Sequence, residues 1–150
     1  MMVWGGITAT GRTPLYIIHG NLTALRYRDE IIRPFVLPFL QAHGRNITFQ
    51  QDNARPHVAR VMLNFLTHNN VQTLPWPAVS PDLSPIEHLW DEMERRLRRL
   101  PNQPVTLLEL KRALVQIWNA IPQVTLTNLV RSMRNRCAEC IAANGGHTRC

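Results

Sequence analysis

The stretch Ile47-Thr48-Phe49-Gln50-Gln51-Asp52-Asn53-Ala54-Arg55-Pro56-His57 decides how the chain is read. Its apolar start reads as a strand over 47–51. Asp52-Asn53 ends the strand, as such pairs do in turns. Val58, Val61, Met62, Phe65 and Leu66 then recur at helical spacing. A second acidic residue, Glu87, follows the Pro-rich run Ser80-Pro81-Asp82-Leu83-Ser84-Pro85-Ile86, and thirty-four residues (53–86) separate it from Asp52. One carboxylate at a strand end and one at a helix start can share a divalent cation. Mg²⁺ is commonly held by one or two protein carboxylates plus phosphate oxygens, an arrangement suited to phosphodiester chemistry.

Working outward, 2–8 and 15–19 read as two strands joined through the turn signal Gly11-Arg12-Thr13-Pro14. Residues 24–43 read as helix, with Tyr27, Ile31, Val36, Phe39 and Leu40 inward. Pro34 and Pro38 are expected to kink or split it, because each removes a backbone donor. A short strand is expected over 71–74. Ser84-Pro85-Ile86-Glu87 has the form of a helix start, with a serine cap, proline at the first position and glutamate three residues later. That helix should stop before Pro101. Thr106-Leu107-Leu108-Glu109 is a second capping pattern, opening a helix with Leu110, Leu114, Ile117 and Trp118 inward and Pro122 at its end. A last helix is expected over 126–141. Strands early and helices late fit an α/β mixed sheet covered by helices.

The chain has 150 residues, 45% of them hydrophobic, and a formal charge of +7. That length suits one domain. Of seventeen basic residues only Lys111 is not arginine, which favours forked phosphate contacts. No stretch approaches the ~20 apolar residues of a membrane span. The N-terminus has no basic region followed by an apolar core, so no signal peptide is read. Cys137, Cys140 and Cys150 form no disulfide framework and suit a reducing compartment.

Three runs together resemble the catalytic domain of Tc/mariner-superfamily DNA transposases: Gln50-Gln51-Asp52-Asn53-Ala54-Arg55-Pro56-His57, Leu74-Pro75-Trp76-Pro77, and Ser80-Pro81-Asp82-Leu83-Ser84-Pro85-Ile86-Glu87-His88-Leu89-Trp90. Val3-Trp4-Gly5-Gly6 and Gly145-Gly146-His147-Thr148 match the family's flanking segments. The spacing with glutamate last is similar to the Tc branch. The resemblance implies a ribonuclease-H-like fold, a mixed sheet flanked by helices with a helical C-terminal part. It implies a catalytic set of two aspartates and a final acid, holding Mg²⁺ or Mn²⁺ for DNA cleavage and strand transfer in transposition and integration. Asp52 and Glu87 match the second and third of these acids. The first aspartate normally lies on a strand preceding the Val3-Trp4-Gly5-Gly6 segment, and none is matched here. The expectation is therefore an N-terminally truncated domain, without helix-turn-helix modules and with little activity alone. DNA is the implied partner and the nucleus the implied location. The alternatives are a non-enzymatic DNA-binding remnant, one that associates with an intact transposase relative, or a relic without selected function.

Each candidate also has a plainer reading. Asp52 can simply turn the chain, and Glu87 can be the reciprocal cap of Ser84. Asp82 fits a loop residue bonding nearby backbone, and Asp29 a solvated one. His57 is either a phosphate or water contact or a satisfied structural residue. Asn53 is read as capping the helix that follows. Trp76 and Trp90 are read as packing rather than base-stacking platforms. Arg95, Arg96, Arg98 and Arg99 spread around a helix; with Lys111, Arg112, Arg131, Arg134 and Arg136 they form a candidate DNA-backbone surface. Cys137, Cys140, His147 and Cys150 could be read as a zinc set, but the resemblance does not support one.

Overall fold

The computed structural model describes residues 1–44, 47–78 and 80–142. Their contacts sort into two compact units, one of residues 2–4 and 16–79, the other of residues 1, 5–15 and 80 onward.

In the first unit, β1 (Met2–Trp4) pairs antiparallel with β2 (Tyr16–Ile18), Val3 opposite Ile17. A helical run follows: α1 (Ala24–Arg26), a π-helical segment (Tyr27–Val36) and α2 (Leu37–His43). Thr23 starts it by accepting the Arg26 amide on its side chain. Pro34 and Pro38 do not split this run. The wide segment contains Pro34, and the Leu37 amide reaches back to the Ile32 carbonyl. Five-residue spacing accommodates a missing donor without breaking the helix, and such widened turns recur at functional sites.

The expected strands over 47–51 and 71–74 shrink to one parallel bridge, Phe49 with Thr73. Phe49 donates to the Gln72 carbonyl at 2.7 Å and accepts from Leu74 at 2.9 Å. Pro75 has no amide to extend the ladder, and Asp52-Asn53 turns the other strand away. Among the described residues this unit thus holds a two-stranded antiparallel sheet and a separate parallel bridge. Next come α3 (Arg55–Val58) and α4 (Arg60–His68), broken at Ala59 by an extended backbone. Met62 and Leu66 are buried, whereas Val58 and Val61 are exposed. The core gathers Ile18, Tyr27, Ile31, Ile32, Val36, Met62 and Leu66.

Apart from Met1, the second unit begins at Gly5. The strand expected over 2–8 stops at Trp4, because Gly6 turns its amide to the Thr13 hydroxyl at 2.8 Å rather than to a ladder. Pairing resumes as a bridge between Ile7 and Arg12. After a 3₁₀ turn (Pro81–Leu83) come α5 (Pro85–Arg98), α6 (Leu107–Ala120), α7 (Gln123–Arg131) and α8 (Met133–Ala142). The Thr106–Glu109 capping box of α6 forms in both directions. The expected helix over 126–141 is two helices that part at Ser132, and the first begins directly after Pro122. Leu89, Met93, Ile117, Trp118, Ile121 and Leu126 form the core.

Trp118 is fully buried, and its indole nitrogen donates to the Thr13 carbonyl at 2.9 Å. Arg12 forks onto the Trp118 and Ile121 carbonyls. These are among the carbonyls that a helix end leaves without partners, where a cation also complements the helix dipole.

Two consequences can be measured. A Cβ on Gly5 would lie 2.6 Å from the Trp118 ring, and the ring has no exposed side to move toward. Gly5→Ala should destabilise this unit by ~1–3 kcal/mol, read as a lowered thermal midpoint; an unchanged midpoint would count against the packing. Glu30 accepts from the Arg26 guanidinium through both oxygens, and from the Tyr16 hydroxyl at 2.9 Å. These bonds, Arg26 first, hold its pKa below the ordinary 4.5. The ionised form is favoured by folding, so this stabilisation is present above pH 4.5 and is lost as pH falls through the lower folded value. Glu30→Gln should flatten that part of the acid-unfolding profile.

Candidate metal and nucleic-acid site

Asp52 belongs to the first unit and Glu87 to the second. Asp52 follows the Phe49 bridge, where the chain leaves its pairing partner. Its Oδ1 accepts the Ala54 amide at 3.0 Å, a local turn bond that sets the start of α3. The same oxygen lies 2.5 Å from His57 Nδ1. The Asp52 side chain is 60% exposed and that of His57 16%. A carboxylate so placed is anchored at one oxygen while its surface stays open to solvent.

Asn53 does not cap the following helix. Its side-chain amide donates to the Trp76 carbonyl at 3.0 Å, while Ala54 occupies the cap position. The Asp52 side chain has taken the local turn bond, and Asn53 fastens this loop to the segment after Thr73. Trp76 is half-buried.

Sequence reasoning did not single out the support beneath the loop. Tyr27 is fully buried, its hydroxyl donates to Gln51 Oε1 at 2.9 Å, and its ring lies 4.3 Å from the His57 ring. Burial pushes the Tyr27 phenol well above its ordinary range, so it stays neutral. Gln51 in turn donates to the His57 carbonyl at 3.4 Å. Tyr27 was legible as a core residue. The usable signal for more was its polar tip, since a buried tyrosine hydroxyl commonly finds a partner.

Glu87 is exposed in the first turn of α5. The cap expected from Ser84 does not form: its hydroxyl makes no capping bond, although Ser84 is 5% exposed and Glu87 still donates its amide to the Ser84 carbonyl. Burial of Ser84 makes this start unlike that of α6, whose cap residue Thr106 is exposed. A first-turn carboxylate still complements the helix dipole. Ile86 and Leu89 enter the core on either side of Glu87, and Trp90 stacks on Trp118 at 5.6 Å, which confirms its packing role. Asp82 accepts from His88 and Arg136 through its main-chain carbonyl. Asp29 pairs with Arg28 and Arg33.

The basic run on α5 is largely engaged within its own helix. Glu92 pairs with Arg95 and Arg96, and Glu94 with Arg98. Arg95, Arg98 and Arg99 are exposed, as are Lys111 and Arg112 on α6 and Arg131 and Arg134 beyond. Arg136 does not belong to a basic surface. It is 6% exposed and donates to the Asp82 and Leu129 carbonyls, locking α8 to the turn before α5.

Of the zinc reading, Cys137 is exposed and Cys140 half-buried, while His147 and Cys150 lie outside the described residues, as does the Gly145–Thr148 segment. Among the described residues no group of three His, Cys, Asp or Glu side chains could hold a metal ion. No described helix is long and apolar enough to cross a membrane.

Residues 1–107 match the model of the DDE superfamily endonuclease family. The Tc1 transposase of Caenorhabditis elegans is 38% identical over 154 positions, covering 99% of this chain and 54% of that protein. The Tcb1 transposase of Caenorhabditis briggsae is also 38% identical, over 152 positions with the same coverage. The chain thus spans about half the length of the relatives it matches. Among solved structures, the Mos1 transposase catalytic domain with raltegravir and magnesium superposes with a TM-score of 0.82 at 24% identity, covering 98% of this chain and 75% of that one. The mariner Mos1 paired-end complex with magnesium gives 0.84 at 22% identity, covering 98% and 45%. The fold is that ribonuclease-H-like α/β fold.

Proposed function

Because this chain belongs to the DDE superfamily endonucleases, with the Tc/mariner type of transposase catalytic domain, we propose that Asp52 and Glu87 are the second and last acids of a metal-dependent site for DNA strand cleavage and transfer. The observation behind this reading is the Asp52 turn. A strand-end carboxylate is anchored through one oxygen, 60% exposed, and set in the motif that matches the family. The donor set fits Mg²⁺ or Mn²⁺: both residues offer hard carboxylate oxygens, and neither is buried. A divalent cation bound there would polarise the phosphate and activate water or a 3′-hydroxyl. The chain's own part is to present the two carboxylates, Asp52 from its turn and Glu87 from the first turn of α5, whose dipole favours the ionised form.

DNA is the proposed substrate and the nucleus the proposed location. Mos1 structures include a paired-end complex with the left transposon end. The +7 charge and the exposed Arg95, Arg98, Arg99, Lys111 and Arg112 suit a phosphate backbone, with Arg96 half-buried beside them. The pairing of Arg95, Arg96 and Arg98 with glutamates makes Lys111 and Arg112 the stronger contributors. Binding without chemistry, alone or beside an intact transposase relative, is the second reading, and the same basic surface favours it.

Two measurements test these readings. Residues 1–150 supply two of the three acids that the resemblance implies. A misplacement of ~1 Å can cost ~10²-fold in such chemistry, and a missing ligand costs more. A polypeptide of these residues should therefore not nick supercoiled plasmid in Mn²⁺ above the level of its Asp52→Ala variant. Cleavage abolished by Asp52→Ala would show that the acids present suffice. In duplex titrations, affinity should fall as salt rises. Converting both Lys111 and Arg112 to alanine should lower the log–log salt slope by ~0.9 for each phosphate that is no longer neutralised. A salt-independent constant would exclude backbone binding.

A further inference from the structure

We infer that His57 is a positioning residue for the Asp52 carboxylate, held in place by Tyr27 and Gln51. The inference deepens the reading of Asp52 as a metal-holding residue and rests on it. Two donors converge on Oδ1 of Asp52, the Ala54 amide at 3.0 Å and the His57 ring at 2.5 Å. An ionised carboxylate can only accept, so His57 must carry its proton on Nδ1. With Oδ1 occupied by both donors, Oδ2 is the oxygen offered to a cation.

His57 is itself held twice by one buried residue. The Tyr27 ring lies 4.3 Å from the imidazole and tilted 33° to it, fixing the plane of the ring. The Tyr27 hydroxyl donates to Gln51 Oε1, and the Gln51 amide reaches the His57 carbonyl, fixing the main chain. Tyr27 has no exposed surface and belongs to the core with Ile31, Ile32 and Met62. The rigidity of that core is thereby passed to the carboxylate.

Magnitudes favour this role over a purely structural one. The partner is a carboxylate 60% exposed, and exposed pairs stabilise a fold little. Hydrogen bonds behind metal ligands act differently: removing one commonly weakens metal affinity ~10–100-fold. The arrangement therefore has far more leverage on a cation than on folding.

The test uses the whole chain and Mn²⁺ alone, with bound metal followed by electron paramagnetic resonance and folding by thermal melting. Asp52→Asn, which keeps the side-chain shape but loses the charge, should weaken Mn²⁺ binding. His57→Ala should weaken it about tenfold or more. His57→Asn, whose amide can donate from near the Nδ1 position, should recover most of the loss. Tyr27→Phe keeps the ring packing and should fall between wild type and His57→Ala. Without metal, nitrogen NMR of the imidazole should show the Nδ1–H tautomer, a signature that packing alone would not set. If Asp52→Asn leaves Mn²⁺ affinity unchanged, the reading of Asp52 fails and takes this inference with it. If Asp52→Asn weakens binding but His57→Ala stays within about twofold of wild type, short of the tenfold expected, the positioning role alone is overturned. The same holds if the neutral ring is the Nε2–H tautomer. Should His57→Ala fail to fold, the tautomer and His57→Asn still decide.

Discussion

The second unit depends on the burial of one indole. Trp118 closes the core formed by Leu89, Met93, Ile121 and Leu126, and its one polar atom is satisfied by the Thr13 carbonyl. A buried indole without that partner would leave an unpaired donor, at ~1–3 kcal/mol. The Gly5–Leu15 segment is therefore an integral part of a helical unit formed mostly by residues far along the chain. Arg12 strengthens the same junction from the other side, through carbonyls at the end of α6. The stack of Trp90 on Trp118 then fixes α5 one turn beyond Glu87. Placement of the acidic residue follows from packing, because the side chains on either side of it have no alternative.

What the sequence disclosed and what it withheld divide along physical lines. Apolar spacing revealed α4, and the start patterns at Ser84 and Thr106 revealed α5 and α6, each of which buries one face. Tyr27, Ile31, Val36, Ile117 and Trp118 were legible as core for the same reason. Lengths of strands were not legible. They depend on where a ladder loses its donors, and Gly6 and Pro75 stop theirs through a side-chain acceptor and a missing amide respectively. The break at Ser132 left no mark in apolar spacing. Nor did the π-helical segment, since Pro34 says that a donor is missing but not how the helix adjusts.

The candidate residues show the same division. Asp52 and Glu87 stand out through motif and spacing, whereas their surroundings do not. The Ser84 pattern promises a reciprocal cap, yet burial takes the serine into the interior. Asn53 reads as a cap, yet Ala54 takes the cap position and Asn53 reaches across to Trp76. Arg136 reads as surface because its helix is polar, but the Asp82 and Leu129 carbonyls draw it inside. In each case tertiary packing overrides a sound local preference. Such pairings carry no period and no composition.

The link from Tyr27 to the Asp52 loop has a dynamic consequence. Surface loops generally open on their own, with free energies far below that of global unfolding. Here the segment from Gln51 to His57 hangs from a residue that cannot move unless the core around Ile31 and Met62 yields. Its opening is tied to a cooperative unit rather than to the local chain. A loop that looks peripheral by exposure is thus bonded to the interior through Tyr27 and Gln51.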